Sequence, residues 1–360
     1  MSDAIVYVGT YTRPEHFVHG KGEGIYVFRL DSKRGVLHHL STTTGLVNPA
    51  FLTIDSQRRY LYSVQEVDVF DGQPSGAVSS FRIDHETHAL ELINHQPTHG
   101  AHPAYISIDH TGKWLLVANY SGGNVTVLPI AHDGSLGPAT AVVQHRKTPT
   151  HHDGPHPHSI MEAPGDGNHV LVADCGLDRI YVYRFDPTTG TLMPNDPPWV
   201  MLEAGAGPRH LAFEAGGRHV YCINERDSSA SVLSYDPMRG VLEEIQTLST
   251  LPDDFKGTNM CADIHLDPTG RYLYGSNRGH DSIAIFALDA ASKWLHPLGH
   301  VATGGRTPRN FAIAQNAGLL LAANQDTDDI VPFHIDTATG ALTSTEVVNA
   351  VPSPSCVCVV

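Results

Sequence analysis

Cysteine, tryptophan and basic residues are all scarce in this chain of 360 residues. It has five cysteines and three tryptophans, and its 23 lysines and arginines stand against 38 aspartates and glutamates. The cysteines are odd in number and most lie in apolar, strand-like surroundings, which is typical of buried reduced thiols and not of a disulfide framework. The formal net charge of −15 repels a phosphodiester backbone, so we expect no nucleic-acid partner.

Long hydrophobic runs are absent as well. No apolar stretch approaches the length of about eighteen residues that a membrane span needs, although hydrophobic residues make up 41% of the chain. The first ten residues contain neither a basic segment nor a long apolar stretch, so they do not resemble a signal peptide. Together with the cysteine usage, these features predict a cytoplasmic protein with no membrane contact, either a monomer or a weak homo-oligomer.

What the chain does contain is a pattern that recurs seven times, an apolar strand that ends at a small polar cluster. The polar position that closes each copy falls at Thr10, Gln65, Asn119, Asp174, Asn224, Asn277 and Asn324. The steps between these positions are 55, 54, 55, 50, 53 and 47 residues. A period of this length that runs from end to end predicts one repeat domain over residues 1–360.

Three further strands accompany most copies of the pattern. A Pro-led strand with period-two alternation precedes the copy, as at residues 103–109, and a strand that ends in Asp follows it, as at residues 24–31. A Thr-Gly-x-Leu turn, as at residues 189–192, then leads into a fourth strand. No stretch has the pattern of a long amphipathic helix. Four-stranded antiparallel units at this period predict an all-β, seven-bladed β-propeller.

The two ends of the chain complement each other. The first copy of the pattern, at residues 4–11, has no Pro-led strand before it, and residues 352–359 form a Pro-led strand with nothing after it. An open array of blades would leave unpaired strand edges at both ends. We therefore expect the C-terminal strand to pair with the N-terminal blade and close the ring.

The strand order of such blades brings two sets of loops to one mouth of the central channel. These are the loops before the Pro-led strands and the loops after the polar clusters, so the residues that follow each proline and each cluster converge there. They are His158, Arg209, Arg309, Tyr11, Glu66, Tyr120, Glu225, Arg278 and Gln325. We expect Asp174 to add a carboxylate near His158, and Asp263 to be either a rim residue or an ordinary turn acid.

A histidine-rich segment at residues 151–158 invites a metal-site interpretation. Structural zinc sites, however, prefer tighter Cys and His frameworks, and a His-Pro-His spacing aims both rings to one side only at alternate positions of a strand. We therefore expect no metal and no other cofactor. Most of the 24 histidines are expected at the surface or in loops.

Short motifs at the predicted mouth and at the chain end form an ordered set. They are Gly9-Thr10-Tyr11-Thr12, Ala118-Asn119-Tyr120, Pro155-His156-Pro157-His158-Ser159, Gly207-Pro208-Arg209-His210, Asn224-Glu225, Ser276-Asn277-Arg278-Gly279, Thr307-Pro308-Arg309-Asn310-Phe311 and Pro352-Ser353-Pro354. This set, which runs nearly end to end, resembles the lactonase family of seven-bladed propellers. That family includes the propeller-type bacterial 6-phosphogluconolactonases and the fungal carboxy-cis,cis-muconate cyclases.

The resemblance implies a hydrolase that opens a small anionic sugar lactone, as 6-phosphogluconolactonases do in the pentose phosphate pathway of carbohydrate metabolism. In the cyclase branch of that family the proposed active-site set is one His, two Arg and one Glu, and by motif these correspond to His158, Arg209, Arg278 and Glu225. In this interpretation the two arginines hold a phosphate or carboxylate and neutralise the oxyanion that forms at the lactone carbonyl. His158 deprotonates the attacking water, and Glu225 orients the histidine or the water.

The remaining predicted residues bind the substrate in this interpretation, namely Tyr11, Glu66, Tyr120, Asp174, Arg309 and Gln325. No Gly-x-Ser-x-Gly motif occurs, so a serine nucleophile is not expected. Two alternatives stay open. The same residues serve a cycloisomerase that closes a lactone from an unsaturated acid, and a propeller rim also suits a non-enzymatic module that binds a peptide or protein.

Overall fold

The computed structural model describes residues 4–147, 153–165 and 167–360. These residues form seven antiparallel sheets, each with four strands in hydrogen-bonded order, and the last sheet has one additional short strand. Two short ribbons lie at Pro14–Glu15 with Val18–His19 and at Val69–Phe70 with Gln73–Pro74. Within these ranges the only helical segment is a 3₁₀ turn at Gln315–Ala317. No helix there is long and apolar enough to cross a membrane. The prediction of an all-β propeller with seven four-stranded blades is confirmed.

The first strand of every blade lines the central channel, with blades counted from the N-terminus and strands counted outward. These strands contact one another in sequence around the ring. From blade 1 to blade 7 they are Pro354–Val359, Leu52–Ile54, Pro103–Ile108, Pro157–Glu162, Pro208–Phe213, Met260–Leu266 and Pro308–Ala314. Five begin at a proline, which lacks an N–H and therefore suits the first position of a strand.

The second strands carry the repeated sequence pattern and are buried along almost their whole length. From blade 1 to blade 7 they are Ala4–Thr10, Tyr60–Gln65, Trp114–Asn119, His169–Asp174, His219–Asn224, Tyr272–Arg278 and Leu319–Asn324. Each has a neighbouring strand on both edges, and neighbouring blades cover both faces. The continuous apolar runs of these segments reflect that burial.

The third strands lead into the tight turns at the far end of each blade from the channel mouth. They are Gly24–Asp31, Ala77–Ile83, Asn124–Pro129, Arg179–Asp186, Ser229–Asp236, Ser282–Leu288 and Asp329–Ile335. In blade 4 the side chain of Asp186 accepts hydrogen bonds from the hydroxyl and the N–H of Thr188, at 2.6 and 2.8 Å. These bonds lower the pKa of Asp186 and stabilise the turn.

The fourth strands form the outer edge and are the most exposed. They are Val36–Thr44, Leu90–Pro97, Ala141–Gln144, Thr191–Met201, Val241–Ser249, Leu295–Ala302 and, in blade 7, the two segments Leu342–Ser344 and Asn349–Ala350. Both segments of blade 7 pair with the same third strand. The outer edge of blade 7 is thus interrupted, while its inner three strands keep the common pattern.

The hydrophobic core is divided among the seven interfaces between adjacent blades. Blades 5 and 6, for example, share a cluster that includes Tyr221, Ile223, Leu273 and Phe286, each at most 2% exposed. The cluster between blades 7 and 1 contains Val8, Leu321 and Val357 among others. Each blade therefore buries both of its faces against its neighbours, and the stability of any one blade depends on the complete ring.

The ring is closed by the two ends of the chain, as predicted. Pro354–Val359 pairs antiparallel with Ala4–Thr10 and provides the first strand of blade 1. The hydroxyl of Ser355 lies 3.0 Å from the carbonyl oxygen of Gly9 and 2.9 Å from that of Ala50. The C-terminal strand thereby contacts both blade 1 and blade 2.

Candidate active site

A β-bulge follows the leading proline of the first strand in blades 4, 5 and 7. The pairing with the second strand skips one residue in each, namely His158, Arg209 and Arg309. A bulge takes the extra residue out of the regular alternation and re-aims its side chain. In blade 5 the bulge is preceded by Gly207, whose φ of 66° lies in the left-handed region that glycine adopts without strain. The repeated bulge therefore re-aims one histidine and two arginines at the end of their strands that lies nearest the channel mouth.

A cavity of about 460 Å³ opens at this mouth. Seven of the residues predicted from the sequence line it, namely Glu66, Tyr120, His158, Glu225, Arg278, Arg309 and Gln325. A second cavity of about 10 Å³, close to the space one water molecule occupies, adjoins it and is lined by Tyr11 and Arg209. His158, Glu66 and Arg309 line both cavities.

Glu225 is the residue on which the charges of the site converge. Its Oε2 lies 2.9 Å from Nε of Arg209, 3.2 Å from Nη2 of Arg278 and 4.0 Å from Nε2 of His158. Burial alone raises the pKa of this carboxyl, but the charges of Arg278, Arg209 and Arg309 outweigh burial and lower it. Glu225 is therefore a carboxylate at neutral pH, surrounded by more positive than negative charge.

Several buried polar atoms of this cluster have no hydrogen-bond partner among the residues that the structure describes. They are Nδ1 of His158, Nε of Arg209, Oε2 of Glu225, Nε of Arg278 and Oε1 of Gln325. The Arg209 and Glu225 atoms attract each other at ion-pair distance without the alignment of a hydrogen bond. Buried polar groups are rarely left unpaired in folded proteins, so a cluster of them indicates a place where a polar ligand binds.

His158 is enclosed by aromatic rings and is only 5% exposed. Its ring packs edge-on against Tyr120 and His210, with centroids 5.5 and 5.2 Å away. Burial, followed by the charge of Arg209, holds the pKa of His158 well below its usual value. The imidazole is therefore neutral at physiological pH and retains one nitrogen that can accept a proton.

Arg309 forms one wall of the cavity together with aromatic residues of blade 1. Its guanidinium lies 5.3 Å from the ring centroid of Tyr11 and 5.2 Å from that of Phe17, within cation–π range. The Tyr11 hydroxyl donates to Oε2 of Glu66 at 2.8 Å. Burial raises the pKa of Glu66. Tyr11 is fully buried, so it supports Glu66 and Arg309 from below the cavity.

Asp174 was expected near the substrate, but its carboxylate lines neither cavity. Its Oδ2 lies 2.6 Å from Nδ1 of His145, and its Oδ1 accepts the N–H groups of His156, Gly176 and Leu177 at 2.8, 3.1 and 3.1 Å. All of these partners are local in the fold, and they fill the acceptor positions of the carboxylate. Asp174 thus anchors the segment that leads to His158.

Asp263, expected at a rim or in a turn, lies in neither place. It belongs to the first strand of blade 6 and is 3% exposed. The pairing of this strand skips both Ala262 and Asp263, which makes a larger irregularity than in the other blades. The carboxylate points into the channel wall and contacts His210, 2.8 Å away, at the level below the site.

Nine cavity residues were not predicted from the sequence, and the largest side chains among them include Phe17, His102 and Met260. Phe17 belongs to the turn of the short ribbon that links the second and third strands of blade 1, and a ribbon at the same place occurs in blade 2. His102 directly precedes a leading proline, and Met260 holds the same position in blade 6, because Cys261 pairs with Asn277 as Pro208 pairs with Asn224. For His102 and Met260 the available signal was their shared position one residue before the leading position of the first strand.

One cluster of carboxylates and a histidine has the spacing of metal ligands. Among residues 4–147, 153–165 and 167–360, one group has suitable spacing, namely Asp109, His110 and Glu162. It follows the first strand of blade 3 and so lies at the opposite end of that strand from the cavity. The imidazole Nδ1 of His110 already contacts Glu162 at 2.6 Å. His151 and His152, part of the histidine-rich segment, lie outside the described residues.

Relatives of known fold and name match this chain nearly from end to end. A 6-phosphogluconolactonase of Bacillus subtilis is 35% identical over 99% of this chain and 98% of its own length. One from Formosa agariphila is 32% identical over 94% of both chains. The solved structure of a periplasmic gluconolactonase from Pseudomonas aeruginosa superposes with a TM-score of 0.92 at 34% identity, covering 100% of this chain and 99% of that one.

The family model that describes a lactonase with a seven-bladed β-propeller matches residues 5–359. This range includes both strands that close the ring and every residue of the cavity. The propeller, its closure and the cavity residues are thus all covered by one family match. The chain belongs to the family of seven-bladed β-propeller lactonases.

Proposed function

We propose that this protein is a hydrolase that opens a small anionic sugar lactone of the 6-phosphogluconolactone type. The observation that carries the proposal is a neutral, buried His158 beside a carboxylate and two arginines on the wall of one cavity. The names of the relatives, 6-phosphogluconolactonase and gluconolactonase, support the same class of substrate. A sugar lactone with a phosphate or carboxylate matches the excess of positive charge around Glu225.

Arg278 and Arg309 are the arginines that reach the substrate in this proposal, because both line the cavity. Arg209 was expected to share this task, but it is 2% exposed and lines only the small adjoining cavity. We therefore assign Arg209 to holding Glu225. A guanidinium on the cavity wall binds phosphate or carboxylate through paired N–H donors and also stabilises an oxyanion at the lactone carbonyl.

The chemistry proceeds by direct attack of water. His158 accepts a proton from the water as its oxygen bonds to the carbonyl carbon, and Arg278 stabilises the resulting oxyanion. The carbonyl then re-forms, the ring C–O bond breaks, and the leaving oxygen takes the proton from the imidazolium of His158. The product is the open hydroxy acid. Glu225, 4.0 Å from His158 Nε2, stabilises the imidazolium while the proton resides there.

The test is a substrate panel with purified protein: 6-phosphoglucono-δ-lactone, glucono-δ-lactone, a muconolactone and an unsaturated muconate diacid. Acid release is followed with a pH indicator and ring closure by ultraviolet absorbance, each corrected for the spontaneous reaction. We expect the sugar lactones to be opened and the muconate derivatives to be left unchanged. Closure of the diacid would instead indicate a cycloisomerase, and inertness toward every compound would favour a non-enzymatic binding module.

The site also supports two broader expectations that belong to this proposal. Opening a phosphorylated sugar lactone would place the protein in the oxidative part of sugar phosphate metabolism. A cytoplasmic location fits that substrate, whereas the Pseudomonas aeruginosa relative is named as periplasmic. Fractionation of cells that express the full natural gene product, with immunoblotting of each fraction, tests the location.

A further inference from the structure

We propose that His210, fixed by Asp263, is a positioning residue that holds the guanidinium of Arg209 against Glu225. This inference rests on the proposed function and names residues that act beneath the cavity without touching the substrate. Four side chains would form one chain of contacts, from Asp263 through His210 and Arg209 to Glu225. It joins the first strand of blade 6 to the catalytic carboxylate of blade 5.

The contact between Asp263 and His210 determines which nitrogen of the imidazole carries hydrogen. Nδ1 of His210 lies 2.8 Å from Oδ1 of Asp263. Contacts with His265 and His210 hold the pKa of Asp263 far below its usual value despite its burial, so its oxygens can only accept. Nδ1 of His210 must therefore donate. In a neutral imidazole the other nitrogen, Nε2, is then a bare acceptor.

That acceptor faces Arg209. Nη1 of Arg209 lies 3.2 Å from Nε2 of His210, and a guanidinium has only donors, so the hydrogen bond runs from Arg209 to His210. A protonated His210 would place two donors and two charges against each other. Burial, followed by the charge of Arg209, lowers the pKa of His210 to about 4, which keeps the acceptor available at physiological pH.

Arg209 is thus held at both ends of its guanidinium. Nη1 donates to the carbonyl oxygen of Ala262 as well as to His210, and Nε lies 2.9 Å from Oε2 of Glu225. Two fixed acceptors on one nitrogen set the plane of the group, and the plane sets where Nε points. Losing the imidazole acceptor frees the guanidinium to rotate and moves the charge that positions Glu225.

A substitution of Asp263 would not distinguish a positioning role of this cluster from a purely structural one. Asp263 also contacts His265 through Oδ2, at 3.0 Å, and Asn310 and the N–H of Phe311 in blade 7. It therefore ties blades 5, 6 and 7 together, and a substitution of Asp263 would mix stability with positioning. His210 allows the two roles to be separated, because its two nitrogens serve different partners.

The experiment compares His210→Asn with His210→Gln. The Asn amide nitrogen takes the place of Nδ1 and keeps the bond to Asp263 but offers Arg209 nothing. The Gln amide oxygen reaches the place of Nε2 and keeps the acceptor for Arg209 but releases Asp263. We expect kcat for the sugar lactone to fall at least ~10-fold in His210→Asn, as misplacement of a catalytic group does, with KM within ~2-fold of wild type. His210→Gln should keep kcat within ~3-fold and lose more thermal stability.

His265→Asn is the matched control, since it removes a histidine from the same carboxylate on the side away from Arg209, and it should keep wild-type kcat. Crystal structures of the His210 pair give a readout independent of activity: the Arg209 guanidinium should move in His210→Asn and stay in His210→Gln. If wild type opens no lactone, the proposed function fails while this readout still tests the positioning. An Arg209 that stays in place in both variants, or a kcat that follows thermal stability across the set, would overturn the inference.

Discussion

At the scale of single residues, the site depends on how charge is distributed around Glu225. Three arginines and one neutral histidine lie near a carboxylate that stays ionised, because the arginines outweigh the cost of its burial. Each arginine has a different set of neighbours: Arg209 is buried beneath the cavity, Arg278 reaches it beside Glu225, and Arg309 reaches it against aromatic rings. Substitutions at these positions should therefore have distinguishable effects.

Removal of the proposed base or of the cavity arginine should abolish most activity. We expect His158→Ala and Arg278→Ala each to lower the rate of lactone hydrolysis at least ~100-fold, because general base catalysis and oxyanion stabilisation each contribute about that much. Thermal melting of both variants should stay close to that of wild type. His334→Ala, which alters an exposed histidine, serves as the control. Wild-type activity in either active-site variant would remove that residue from the mechanism.

The pH dependence of activity should respond to the charge near His158. The base must be neutral, and its pKa is held well below 6.5 by burial and by Arg209, His210 and Arg309. The acid limb of kcat/KM should therefore lie well below pH 6.5 in the wild type. Arg309→Gln removes a positive charge that disfavours the protonated imidazole, so the pKa rises and the limb should move to higher pH.

The matched control for this pH profile is Arg306→Gln, which alters an exposed arginine in the loop that leads into the strand of Arg309 and is not among the groups shifting His158. Its charge is screened by solvent, so its acid limb should coincide with that of wild type. Identical limbs for Arg309→Gln and wild type would mean that His158 is not the titrating base.

At the scale of single elements, the repeated polar cluster holds the blades together. In blades 3, 6 and 7 the Asn at the end of the second strand donates to the carbonyl oxygen of a buried Thr that follows the last strand of the preceding blade. At the other end of the second strand, a Tyr donates to a carbonyl oxygen in the far turn of the next blade, as Tyr62 does to Gly134 at 3.1 Å. The polar residues thus recur in the sequence because they form the hydrogen bonds that join adjacent blades.

Removal of one such set of hydrogen bonds between blades should lower the stability of the protein and leave its catalytic activity unchanged. Asn324 donates to Thr303 at 3.3 Å and to Asp329 at 2.8 Å, and it is fully buried. We expect Asn324→Ala to lower the free energy of unfolding by about 1–3 kcal/mol, because two buried acceptors lose their donor. Asn316→Ala, at an exposed position, should change it by less than about 0.5 kcal/mol. Chemical denaturation measures both free energies, and equal stability of the two variants would contradict the role of Asn324 in joining blades 6 and 7.

At the scale of the whole molecule, stability depends on closing the ring. The C-terminal strand supplies the first strand of blade 1 and one side of the core between blades 7 and 1. The N–H of Val357 donates to Oδ1 of Asn310 in blade 7 at 2.7 Å, and this bond is lost with the strand. Blade 7, which carries Arg309, would then face an open edge.

Deletion of the last eight residues should therefore lower the melting temperature by more than about 10 °C, since a strand, its ladder and part of a core disappear together. Differential scanning calorimetry of the truncated and full-length proteins measures this. Ser355→Ala is the milder companion variant, because it removes only the two hydroxyl contacts to Gly9 and Ala50. It should melt between the other two. A truncated protein that melts with the full-length one would contradict closure by the C-terminal strand.

The sequence by itself determined the number of blades, the four strands in each and the closure of the ring. Those features follow from local patterns, because alternation, turn residues and a leading proline act within a few residues of one another. The sequence also predicted that His158, Glu225, Arg278 and Arg309 lie at one mouth of the channel, because strand order alone places their loops on the same face of the propeller. No contact between distant residues was needed for either step.

Only the tertiary structure decided which of these side chains reach the cavity. The bulges that turn His158 and Arg309 inward are register shifts against the neighbouring strand, and Arg209, in the same bulge position, lies below the cavity instead. Asp174 is held by His145, and His210 meets Asp263 across two blades, 53 positions apart in the chain. Such contacts join segments that no local pattern relates, and they exist only once the blades have packed.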